Sequence, residues 1–196
     1  MSSIQRNILE NFFLKFGIYF FLLYYITKLI IGLSVKGGYY IEFVHNNLDY
    51  ISLLRKYLLI GSKTVCELFN FKTFIEGRYV LKNDNGFGVR LVYSCLGYGI
   101  ISFWIAFVMA NRGSIKKKIG WMFLGVLIVY CLNVLRISLL LISITESYKL
   151  PFGINHHSFF NIIVYIFIIC LVFLYDKNFH LFNQKKSNSN RNENIL

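Results

Sequence analysis

Residues 119–145 read IGWMFLGVLIVYCLNVLRISLLLISIT, an apolar run whose one charge is Arg136. A bilayer's hydrocarbon core takes roughly 20 apolar residues in helical form, so this run is long enough to cross it. Arginine does not give up its proton in proteins, so a guanidinium inside a span has to face protein, an anion or water. The run therefore predicts a helix bundle with Arg136 turned inward, and the rest of the chain has to supply its surroundings.

Working outward, three further apolar runs lie at about Phe12–Leu33, Leu96–Ala110 and Ser158–Tyr175. The first is interrupted by Lys28, near an end where a lysine can snorkel to the interface. No Ala-x-Ala exit follows it, so it reads as a retained anchor and not a cleaved signal peptide. The Leu96–Ala110 run is short for a crossing and suits a helix partly sunk in protein or a locally thinned bilayer. Composition agrees: 56% of the residues are hydrophobic and 18% aromatic, with a single proline. The expected fold is an all-α polytopic membrane protein with about four transmembrane helices (12–33, 96–110, 119–145, 158–175). It forms one membrane-embedded domain over residues 1–175. Residues 176–196, rich in Asn, Lys and Ser, are expected to be a disordered basic cytoplasmic tail.

Residues 35–95 form the long insert. From Asn46 to Phe71, Leu and Ile alternate with Asp49, Arg55, Lys56, Lys63 and Glu67, which is too much charge for mid-bilayer. One or two interfacial helices are predicted there. Two β-prone runs then flank Asn83-Asp-Asn-Gly86, so a small β-hairpin is expected to deliver the chain to Cys95.

The net charge of +12 does not make a nucleic-acid binder, because the basic residues form no single stripe. Arg112, Lys116, Lys117 and Lys118 share one short loop with no acid, and Lys177, Lys185, Lys186 and Arg191 lie in the tail. Basic loops of this kind stay cytoplasmic. Cys95 and the pair His156–His157 then fall at the outer ends of the second and fourth runs. Arg136 lies roughly 13 Å in from Thr145 at 1.5 Å per residue. A thiol, a fixed cation and an imidazole are thereby brought to one level.

Each candidate has a plainer reading. Cys95 at a helix start would have its thiolate favoured by the dipole, or it is a buried small residue or a disulfide partner of Cys66. Cys131 and Cys170 sit mid-run and read as packing. Arg136 is either a structural cation or a charge for a developing oxyanion. Asn133, three residues earlier on nearly the same face, braces it or adds a donor. Adjacent histidines on diverging directions make a poor chelate, so no metal and no cofactor is expected. General acid–base work beside a thiol fits them better than capping.

Cys95 in Ser94-Cys-Leu-Gly97, Asn133-Val-Leu-Arg136 inside a long apolar helix and His157 heading the last run resemble the exosortase/archaeosortase family of multipass cysteine proteases. Its compact Bacteroidetes type, the F type, looks closest. The resemblance covers roughly residues 75–175. It departs at the position four after the histidine, where many members carry glycine and this chain has Asn161, or Phe160 if His156 is the counterpart. It implies a membrane-embedded cysteine peptidase or transpeptidase of the bacterial inner membrane with its site on the extracytoplasmic side. Cys95 would be the nucleophile, Arg136 the oxyanion partner and His157 the acid, with His156 the alternate. It further implies exported substrates that end in an apolar helix and a basic tail, a thioester acyl-enzyme, and water or an envelope amine as acceptor. The competing reading is a non-catalytic membrane scaffold or export accessory. A small transporter is disfavoured, since there is no internal repeat and no pair of broken helices.

Overall fold

A computed structural model describes residues 3–35, 39–146, 159 and 161–177, with side chains from residue 11 onward. Helix α1 spans Ser3–Ser34, α2 Glu42–Asn47, α3 Tyr50–Leu68, α4 Tyr98–Ala110 and α5 Ile115–Thr145. Residues 161–177 form a further helix, α6. Two stretches, Asn11–Ser34 and Ile115–Thr145, are long and apolar enough to cross a membrane, and α4 is a shorter apolar helix.

Helices α1 and α4 pack antiparallel, and the sequence shows why. Phe12, Phe16, Phe20 and Tyr24 repeat every four residues and stack along one face of α1. That ladder meets α4 in reverse order: Phe12 against Phe107, Phe16 against Phe103, Tyr24 against Tyr98. On its other side α4 inserts Trp104, which is fully buried, between α5 and α6. The Trp104 indole N–H donates to the Trp121 carbonyl at 2.9 Å and lies over Gly125, where a side chain would collide with the ring. Tyr175 of α6 closes this cluster edge-on against Trp104 and Trp121. The outer faces of α1 and α6 keep large apolar side chains exposed, among them Phe13, Phe21, Leu29, Ile166 and Phe173.

Helix α3 lies against the second half of α5. Asp49 caps its start by accepting from the Ser52 amide at 3.0 Å. Ile51, Arg55, Leu58, Leu59, Ser62 and Cys66 form its buried stripe, spaced as one helical face. Gly61 lets Tyr130 and Val134 approach, and Ser138 of α5 donates to the Ser62 carbonyl at 3.2 Å. Small residues and hydroxyl bonds of this kind hold apolar helices close. The opposite face carries the exposed Lys63–Glu67 pair at 3.6 Å, which contributes only a few tenths of a kcal/mol.

Three short strands follow: β1 (Thr73–Glu76), β2 (Val80–Asn83) and β3 (Gly88–Arg90), antiparallel in the order β1-β2-β3. The expected hairpin is thus β2–β3 of a three-stranded sheet. The added strand returns through Gly77, whose φ of +61° makes the tight turn. Leu81 and Val89 face the same apolar cluster as α3 and α5. Asn83 ties sheet to bundle: its amide donates to Thr145 Oγ1 at 2.8 Å, and its carbonyl oxygen accepts from the Phe87 amide at 2.9 Å. The stretch 46–71, expected to hold one or two helices, resolves into the end of α2 and all of α3. The expected tail beyond residue 177 lies outside the described residues.

Candidate active site

The chain leaves β3 in extended conformation and makes a single 3-10 turn, Tyr93–Cys95, in which the Cys95 amide donates to the Val92 carbonyl at 2.9 Å. Leu96 is fully buried against Val134, Ile137 and Leu141 and pins the turn to α5. Gly97 then reverses the backbone with φ +74° before α4 begins at Tyr98. Cys95 was expected to open the helix, and it stands instead one turn ahead of it. The left-handed glycine separates the thiol from the helix axis, so the argument from the α4 dipole loses its force.

Two side chains one turn apart on α5 read this turn. Asn133, buried, donates from Nδ2 to the Leu96 carbonyl at 3.3 Å. Arg136, 7% exposed, donates from Nη2 to Cys95 Sγ at 3.7 Å. Asn133 therefore braces the turn that carries the thiol. The same close approach excludes a side chain at position 97, since a Cβ there would run into the Asn133 amide nitrogen. The guanidinium in contact with the sulfur stands within reach of an oxygen bonded to a carbon that the sulfur attacks.

Cys66 and Cys95 are both free thiols, so the disulfide alternative is not formed. Cys66 is buried in the α3–α5 cluster, and burial pushes its thiol up from the ordinary value. Cys131 and Cys170 are exposed on the apolar surfaces of α5 and α6. His156 and His157 lie outside the described residues. Among the described residues no group of three or more His, Cys, Asp or Glu side chains is placed to hold a metal ion.

The sequence reading passed over Arg55. It was grouped with the charges that break the apolar pattern, yet it falls on the inward stripe of α3 and is 2% exposed. Its spacing from Ile51, Leu58 and Leu59 was the available signal. No protein-family model, no curated protein and no solved structure matches this chain.

Proposed function

We propose that the chain is a four-span membrane protein acting as a cysteine peptidase or transpeptidase of the exosortase type on exported polypeptides. The observation that carries this reading is the contact between Cys95 Sγ and Arg136 Nη2, made by a half-buried thiol on the turn before α4 and a buried cation on α5. Support for the membrane setting comes from the two long apolar helices and the exposed apolar faces of α1 and α6. The basic segment 112–118, made of Arg112 in the loop and three lysines in the first turn of α5, then stays cytoplasmic, and the turn that carries Cys95 faces the extracytoplasmic side.

In this scheme the substrate's C-terminal apolar helix lies in the bilayer beside the bundle, with its basic tail inside and its scissile bond at the outer face. The Cys95 thiolate attacks the peptide carbonyl carbon. The carbonyl oxygen takes up the negative charge and is met by Arg136. Collapse breaks the C–N bond, and the leaving nitrogen takes a proton from His157, a role assigned from sequence alone with His156 as the alternate. The product is a thioester. Water then releases a carboxylate, or an envelope amine forms a new amide, and the thiolate is regenerated in either case.

The test is co-expression with an exported protein that ends in an apolar helix and a basic run, followed by its size on a gel. Cys95→Ala is expected to accumulate normally and leave the substrate at full length. Arg136→Lys keeps the charge but loses the fork, and is expected to slow processing by about 10²–10³-fold, the effect of losing one oxyanion donor. Full processing by the Cys95→Ala chain would sink the scheme.

A further inference from the structure

A cleft of about 1100 Å³ opens between the end of α1, helices α2 and α3, and the sheet. Its cations are Arg55, Lys56, Arg78 and Arg90, and the one carboxylate named on its wall, Asp49, accepts from the Ser52 hydroxyl at 2.6 Å. Arg55 is the unusual member. It is 2% exposed, its guanidinium is sandwiched 4.6 Å from the Tyr79 ring centroid and 4.2 Å from that of Tyr93, and its buried Nε has no hydrogen-bond partner among the described residues. Aromatic faces hold a cation in place but leave its N–H donors unanswered. A buried guanidinium without an anion is costly, so this geometry calls for an oxyanion from outside the chain.

From this we infer that the cleft is a binding site for the phosphate of an anionic phospholipid headgroup. The guanidinium fork matches phosphate oxygens in pairs, and Arg78, Arg90 and Lys56 add the field that gathers an anion. Two features select a lipid over other phosphate carriers. The cleft wall includes Ser34 and Val35, where the apolar stretch Asn11–Ser34 ends, so in the membrane setting proposed above, on which this choice rests, its mouth stands at the level where headgroups begin. Exposed Leu53 and Ile60 lie on the same wall as the cations, giving the apolar flank that the glycerol and first acyl carbons need.

The site makes no use of Cys95, so its test is run on both the native chain and the Cys95→Ala chain, and a failure of the catalytic scheme leaves it standing. The full chain is purified in neutral detergent and titrated with dioleoylphosphatidylglycerol or dioleoylphosphatidylcholine, and bound lipid is counted by native mass spectrometry. Phosphatidylglycerol is expected to bind at least tenfold better than phosphatidylcholine. Arg55→Gln is expected to abolish that preference. Arg78→Gln combined with Arg90→Gln, on the sheet side of the cleft, is expected to weaken it several-fold and covers the case in which Arg55→Gln fails to fold. Equal binding of the two lipids, or a preference untouched by the double variant, overturns the proposal. Inorganic phosphate saturating the site while phosphatidylglycerol shows no preference reassigns it to free phosphate and overturns the lipid. Displacement of phosphatidylglycerol by tetraglutamate at lower concentration than by inorganic phosphate overturns it in favour of an acidic peptide.

Discussion

Gly97 holds a φ of +74°, and any larger residue there would put its Cβ against the Asn133 amide nitrogen. Two separate costs follow for Gly97→Ala. The left-handed backbone costs an L-residue about 1–2 kcal/mol, and displacing Asn133 leaves the buried Leu96 carbonyl without its donor, about 1–3 kcal/mol more. Thermal unfolding in detergent of Gly97→Ala, Asn133→Ala and the double variant separates the two. In the Asn133→Ala background the glycine substitution is expected to cost only the backbone part, a coupling of at least 0.5 kcal/mol. Equal costs in both backgrounds mean that the contact does not carry energy. At this scale the sequence named the thiol, the guanidinium and Asn133. It gave no sign that position 97 would be left-handed, because Gly is compatible with every region of backbone space and so announces none of them.

At the scale of elements, α4 and α5 meet across Gly125 and Trp104. Gly125→Ala would push a methyl into the indole, and the helices cannot separate without disturbing the Trp104 bond to Trp121. The expected loss is about 1–3 kcal/mol of stability, as for other overpacked contacts. Gly120→Ala on the same helix is the control, since open space surrounds that position. It is expected to be neutral, or to gain up to about 1 kcal/mol from helix propensity. Similar melting temperatures for the two variants would contradict the packing described here. The apolar helices α1, α4 and α5 were legible from hydropathy, whereas the aromatic ladder of α1 and the inward stripe of α3 were identified from their packing. Strand β1 was not legible, because Thr73–Glu76 is short and takes its place only by pairing with Val80–Asn83.

For the whole molecule, the antiparallel order of α1, α4 and α5 brings Leu96 to Asn133 and Cys95 to Arg136 at one end of the bundle, with the sheet beside them. If these helices cross a membrane, that end and the loop 111–114 face opposite sides. In a Cys95→Ala background, Asp84→Cys is expected to react with a membrane-impermeant maleimide added to intact cells, and Arg112→Cys only after permeabilisation. Native Cys66 is buried in the α3–α5 cluster, and Cys131 and Cys170 are replaced by Ala as well, so that their exposed thiols add no signal. Labelling of both positions from outside would end the four-span reading.

What the sequence determined by itself was the set of apolar segments that become α1, α4 and α5, and the candidates Cys95, Asn133 and Arg136 beside and within them. These follow from local composition, which sums along the chain without knowledge of partners. What only the tertiary structure decided was contact: that Arg136 touches the sulfur while Asn133 holds the turn beneath it, that Cys95 stands off the helix end, and that Arg55 turns inward between two tyrosine rings. Those outcomes depend on side-chain volumes and donor directions meeting across long stretches of chain, and no local pattern records them.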